Sequence, residues 1–174
     1  MIDKDEKQQE LNILGFFLDG REYGLGIERI REIIRMVEIT PVPETPGFVV
    51  GVINFRGEVV PVVDLRRRLG LKCQKYSLST PIIISHVNDH TTGIIVDQVS
   101  EVLTVAPDEV CQPSSDVPLS KDLLVGILRL DRQLLLLLDL KRVLTFERAK
   151  IIEKAKKLGR TKRVKERHSG KRAV

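Results

Sequence analysis

The chain has 174 residues with 29 Lys and Arg, 24 Asp and Glu, two Cys, two Tyr and no Trp, and a net charge of +5. That length suits one ordinary domain or two small ones, and the charge is uneven: residues 147–174 hold 12 Lys and Arg against 3 Glu, so residues 1–146 sum to −4. The polar start MIDKDEKQQEL lacks the basic-then-apolar order of a signal peptide, and the longest apolar run, Leu134 to Leu138, is far too short to span a bilayer, which predicts a cytoplasmic protein.

Leu11 to Leu18 and Arg21 to Ile27 flank Asp19-Gly20, a dipeptide that supplies the positive φ angles of a tight hairpin turn. From Glu28 to Met36, Ile30, Ile33, Ile34 and Val37 recur at helical spacing and predict a short helix. Thr40 to Gly47, TPVPETPG, reads as a rigid extended connection, because proline fixes φ and biases the preceding residue away from helix. Phe48 to Phe55 and Glu58 to Val63 flank Arg56-Gly57 as a second hairpin, after which Asp64 is placed to cap a short helix that Gly70 ends. Only Cys73 and Cys111 are present, with no CxxC, which predicts two reduced and partly buried thiols rather than a disulfide or a zinc site.

Pro81 to Val87 and Thr91 to Val96 flank Asn88-Asp89, and Leu124 to Leu130 and Gln133 to Leu138 flank Asp131-Arg132. Gln112 to Ser120, with two prolines and three serines, reads as a surface loop, and Asp139 caps another short helix. Four hairpins make a mainly β chain. Beyond Thr145, the residues Phe146, Ala149, Ile152, Ala155 and Leu158 recur every three positions and predict a basic amphipathic helix over 147–159 that docks on the β core and ends at Gly159. Residues 160–174, almost without apolar content, are expected to form a disordered basic tail.

The chain also repeats itself. GVINFRGEVVPVVDLRRRLG, from Gly51 to Gly70, returns 75 positions later as GILRLDRQLLLLLDLKRVL, with Gly51 on Gly126, Asp64 on Asp139 and Leu69 on Leu144. A second echo, offset by 69, sets Tyr23 to Met36 against Thr92 to Val105, with Gly24 on Gly93, Glu32 on Glu101 and Ile33 on Val102. A duplicated small β unit follows. Neither copy is long enough to bury much surface alone, so the halves are expected to share an interface with a groove between them.

A search for chemistry finds no phosphate loop, HExxH, GxSxG or metal-spaced cluster. His86 and His90 flank the Asn88-Asp89 turn and could pair on a metal with Asp89, but a hairpin tip more often carries solvated polar side chains, so neither metal nor cofactor is expected. Glu32 and Glu101 read as solvent-facing glutamates on equivalent elements. Arg56-Gly57 is different, because the second copy spends Asp131-Arg132 at the same corner and the fold therefore does not require it. Glycine lets another backbone approach and arginine offers a planar fork of donors, a combination suited to a protein contact, and beside it Val52 and Phe55 are expected to turn apolar surface outward.

Tyr23-Gly24, the following segment with Ile30, Glu32 and Ile33, the Thr40 to Pro46 connector, GVINFRGEVVPVVDL and GIIVDQVSEVL together resemble the CheW family of chemotaxis coupling proteins, in order and in spacing, over about residues 12–146. The resemblance implies two SH3-like five-stranded β-barrel subdomains, about 12–80 and 81–146, with strands open to exchange between them. It implies a scaffold without enzymatic activity that links the cytoplasmic tips of methyl-accepting chemoreceptors to the regulatory domain of the CheA-type histidine kinase, in receptor arrays held at the inner membrane through its partners. Carried onto matching positions, the partner-binding residues are Ile30, Glu32, Ile33, Gly51, Asn54, Arg56, Gly57 and Val102. The basic C-terminal extension departs from the family's pattern. The competing reading, a basic-tailed β-barrel that binds nucleic acid, ranks below the adaptor because the barrel region is acidic and poor in stacking aromatics.

Overall fold

The computed structural model describes residues 9–115, 117 and 121–169, with side chains through residue 160 apart from residue 121. The expected hairpins form: β1 (Leu11–Leu18) with β2 (Arg21–Gly26), β4 (Val49–Phe55) with β5 (Glu58–Asp64), β6 (Pro81–Val87) with β7 (His90–Ile95), and β10 (Leu124–Leu130) with β11 (Gln133–Leu138). Asp19, Gly20, Arg56, Gly57, Asn88 and Asp89 all take positive φ, so three of the four turns use the backbone that matches strand twist. Each hairpin of the repeat is followed by one helical turn, α1 (Leu65–Arg68) capped by Asp64 and α2 (Leu140–Val143) capped by Asp139, as the sequence predicts. Gly70 takes a φ of 71° just past α1.

The helix expected over Glu28 to Met36 is instead a 3-10 turn, Ile27–Arg29, followed by a strand, β3 (Ile30–Arg35). Half-buried Ile30, Glu32 and Ile34 alternate with exposed Arg31, Ile33 and Arg35, the period of a strand. A register shift between Ile30 and Glu32 in its pairing with β6, together with isoleucine on both faces, produced the spacing that resembled a helix. The repeat counterpart is β8 (Gln98–Val105). A two-residue strand, β9 (Val110–Cys111), precedes the loop that begins at Gln112; residues 116 and 118–120 of that loop lie outside the described set.

The strands order as β8-β1-β2-β11-β10-β9 in one sheet and β3-β6-β7-β5-β4 in the other. Since β1 to β5 correspond to β6, β7, β8, β10 and β11 in the repeat, the exchange is reciprocal: each barrel takes the opening hairpin of one copy and the remaining strands of the other. The seams are parallel, with Tyr23 opposite Leu136 and Gly93 opposite Val62. One barrel therefore has a sixth short strand, β9; in the other barrel the same place is held by a single bridge between Thr40 and Val52.

Three apolar clusters hold this arrangement. Ile53, Val60, Val62, Ile82, Ile84 and Ile95 fill one barrel, and Ile13, Leu128, Leu135 and Leu137 fill the other. Between the barrels a larger shared core joins Phe16, Tyr23 and Leu25 to Val63, Ile83 and Ile94, with the Phe16 and Tyr23 rings stacked at 5.9 Å. Val52, expected to face outward, is buried in this shared core because the Thr40 connector crosses over it. Repeat glycines permit the crossings: a Cβ on Gly51 would lie 2.2 Å from the Thr40 carbonyl oxygen, and one on Gly126 would lie 2.3 Å from Val110 Cγ1.

The last helix, α3 (Arg148–Ser169), runs straight through Gly159, which was expected to end it. An exposed helix interior tolerates glycine at about 1 kcal/mol, and a Cβ there would meet nothing within 4 Å. Residues 160–169, expected as disordered tail, are therefore helical, and 170–174 lie outside the described residues. The helix docks through Ile151, buried in the shared core, with Phe146 and Ala155 packed beside it, whereas Ala149 and Leu158 are exposed. Contact follows the 3.6-residue period rather than every third position. Cys73 and Cys111 are both free and exposed, not partly buried, because each lies outside the packed strand faces.

Candidate functional site

The Arg56-Gly57 corner is built by its own neighbours. Asn54 Oδ1 accepts the Gly57 N–H at 2.9 Å, which closes the turn, and Arg56 and Gly57 take φ of 51° and 83°. A Cβ on Gly57 would meet nothing within 4 Å, so this glycine answers the backbone angle and not a close approach within the chain. Arginine is placed in the left-handed region at a cost of roughly 1–2 kcal/mol. Its guanidinium lies 5.0 Å from the Phe55 ring centroid and donates to Glu32 Oε2 at 2.6 Å, while the side chain stays 74% exposed. The fork is thus held still and presented to solvent.

Glu32 stands on β3, an outer strand of its sheet, and Ile33 beside it is 42% exposed on the opposite face of that strand. Ile30 packs against the shared core, and Gly51 is buried beneath the Thr40 connector, so both support the surface from below. Val102 is the repeat mate of Ile33 and is 47% exposed on β8, the outer strand of the other sheet. The structure therefore brings Glu32, Asn54, Arg56 and Gly57 into one contact chain. It places Ile33 and Val102 at equivalent edges of different barrels.

The second copy lacks this latch. The side chain of Glu101, the mate of Glu32, makes no hydrogen bond or ion pair among the described residues, and its corner offers Asp131-Arg132. Phe55, expected to face outward, is half-buried and packs against its barrel core while carrying the Arg56 guanidinium.

Two polar networks escaped sequence reasoning. Arg66 donates to Asp97 through Nε at 2.7 Å and Nη2 at 2.6 Å, and Asp97 also accepts the Asp19 N–H at 2.8 Å. These contacts tie α1 to the turns that follow β7 and β1, and so tie the barrels together. Burial alone would raise the Asp97 carboxyl, but the Arg66 hydrogen bonds, the Asp19 amide and the Arg66 charge outweigh it and hold the carboxyl below its ordinary value. In the second network the Tyr76 hydroxyl donates to buried Asp64, and burial together with that carboxylate pushes the phenol well above its ordinary value. No local pattern connects these partners, since each contact depends on the completed topology.

His86 and His90 sit on neighbouring strands, and His86 Nδ1 lies 3.5 Å from Thr91 Oγ1. Among the described residues no three His, Cys, Asp or Glu side chains gather as a metal site, and no helix is long and apolar enough to cross a membrane.

A family model described as a CheW-like domain matches residues 12–148. The chain is 34% identical over 140 residues to the probable chemotaxis protein CheW of Rhizobium etli, covering 79% of this chain and 90% of that one. It is 32% identical over 143 residues to the chemotaxis protein CheW of Klebsiella aerogenes, covering 82% and 86%. Among solved structures, the scaffolding protein TtCheW from Thermoanaerobacter tengcongensis superposes with a TM-score of 0.74 at 31% identity, over 80% of this chain and 95% of that one. The nucleic-acid reading finds no support in these likenesses. Duplicated barrels, the Asn54 to Leu65 run and relatives aligned over most of both lengths agree, and the chain belongs to the CheW-like domain family.

Proposed function

We propose that this protein is a chemotaxis signal-transduction scaffold that couples methyl-accepting chemoreceptors to a CheA-type histidine kinase and supports receptor control of kinase activity. The observation that carries the reading is the Arg56 corner, an exposed guanidinium pre-set by Glu32 and Phe55 on a turn that the fold does not require. Immobilising an arginine before binding reduces the ordering cost that a partner would otherwise bear. Family membership supports the choice of partners.

In this reading the receptor's cytoplasmic tip and the kinase's regulatory domain share the surface around Glu32, Asn54, Arg56 and Gly57 and the exposed edge residues Ile33 and Val102, with Ile30 and Gly51 beneath. The protein works as an adaptor with no turnover of its own, in the cytoplasm, joined to receptor arrays through its partners. Titrating it into authentic receptor fragments and kinase should increase receptor control of kinase autophosphorylation. Kinase output that stays flat across the titration would overturn the proposal.

A further inference from the structure

The two barrel cores are near copies that differ at two core positions, Ile84 and Ile95, whose repeat mates are Gly15 and Gly26. Ile13, Leu128, Leu135 and Leu137 stand at the repeat positions of Ile82, Ile53, Val60 and Val62. In the barrel containing β5, Ile95, Val50 and Tyr76 pack at one end of the core and leave a smaller cavity of about 220 Å³ beside Asp64, and the Tyr76 hydroxyl donates to Asp64 Oδ2. In the barrel containing β11, Ile95 is replaced by Gly26 and Val50 by Val125, which is 47% exposed. Among the described residues Tyr76 has no counterpart there, because the chain after α2 continues into α3 and packs elsewhere.

That end of the barrel is an open cavity of about 580 Å³. Ile13, Gly26, Val125, Leu137 and Asp139 line it, the repeat positions of the residues around Tyr76. The polar end matches too. Asp64 Oδ2 takes an ion pair from Arg67 at 3.5 Å as well as the Tyr76 hydroxyl, whereas among the described residues Asp139 Oδ2 takes only the equivalent pair from Arg142 at 3.4 Å. The Asp139 side chain is 29% exposed against 2% for Asp64. Glu10, Glu28 and Asp139 line the cavity with Arg29 and Lys141, Glu28 lying 4.0 Å from Arg29, so the lining carries one net negative charge.

We infer that this cavity is a docking seat for an extended segment of a partner protein that presents a tyrosine flanked by lysine or arginine. Its ring replaces Tyr76 against Ile13 and Leu137, its hydroxyl donates to Asp139 Oδ2, and its cationic flanks meet Glu10 and Glu28. The chain's own connector, residues 71–80, carries Lys72 and Lys75 beside Tyr76 and shows that such a segment fits the equivalent place. The volume lies within the roughly 300–1,000 Å³ of ordinary ligand sites. The seat is separate from the Arg56 corner, and its test uses neither receptor nor kinase.

The probe is a synthetic peptide of residues 71–80 with Cys73→Ser, titrated into the full chain and followed by backbone amide shifts. Saturable shifts at Gly26, Val125 and Asp139 are expected, and Tyr76→Phe in the peptide should weaken binding about tenfold or more, the scale of a hydrogen bond to a charged group. Gly26→Ile in the protein restores the missing side chain and should abolish binding. Gly26 has φ −61° and ψ 126°, which isoleucine adopts, and the nearest obstacle is the flexible Glu28 carboxylate at 2.6 Å. Val125→Asp, at an exposed position, provides a second variant that does not depend on core packing. Shifts that map elsewhere, fail to saturate or survive both variants would overturn the inference. Concentration-dependent shifts at these residues without peptide would assign the seat to a second copy of the chain and overturn it equally.

Discussion

Arg56 Nη2 and Glu32 Oε2, 2.6 Å apart, join the β4–β5 turn to β3, the two opposite ends of one five-stranded sheet. The pair thus bridges the seam where that barrel closes. An ion pair this exposed contributes only about 0–1 kcal/mol to stability, so its larger effect is on where the guanidinium points.

Arg56→Ala should therefore separate folding from coupling. Stability is expected to move within about 0.5 kcal/mol, while partner affinity falls roughly fivefold or more, as for an arginine at an interface hot spot. Thermal denaturation and kinase titration on one sample decide the matter. A large stability loss with intact binding would make Arg56 a structural residue.

The glycines should divide by their surroundings. Gly51→Ala drives a methyl into the Thr40 carbonyl and should cost about 2–4 kcal/mol, whereas Gly57→Ala meets open space and should cost about 1–2 kcal/mol from its left-handed backbone alone. Urea midpoints of the two variants provide the comparison, and equal losses would refute the crossing-strand account.

Asp97 predicts an acid response. Its folded carboxyl lies below the unfolded value of about 3.9, so its stabilisation is complete above that pH and is lost as pH falls through the lower folded value. Asp97→Asn should flatten that limb of the curve. Urea melts between about pH 6 and pH 2 test it, and identical slopes for parent and variant would remove Asp97 from the explanation.

For α3, docking and charge should come apart. Ile151→Ala should destabilise by about 2–4 kcal/mol, while removal of residues 160–174 should leave the thermal transition in place. The truncated chain should lose low-salt adhesion to anionic surfaces, because exposed charge is screened beyond about 8 Å at physiological ionic strength. Unfolding on truncation would show that the helix needs its distal turns.

Local chemistry made much of this readable. Asp19-Gly20 and Arg56-Gly57 announce their turns, and Asp64 and Asp139 announce their caps, because each interaction closes within four residues. The β3 strand misled because a register shift beside Ile30 disguised a two-residue period. Arg56 and Glu32 were each visible as candidates, but their contact spans 24 positions and exists only once the barrel closes. Tyr76 gave no signal at all, since its meaning depends on a cavity that the other copy leaves open.

Reciprocal strand exchange also sets an order of assembly during synthesis. The sheet of β3 to β7 is complete in sequence by Ile95, but β2 must wait for β11, with Glu22 and its partner Leu135 113 positions apart. Of the four hairpins, the one synthesised before the others is therefore among the last to find its place. Until β10 and β11 emerge, Ile13 lacks Leu128, Leu135 and Leu137, the residues it is buried among, an aggregation-prone interval that slow translation past Val105 would lengthen.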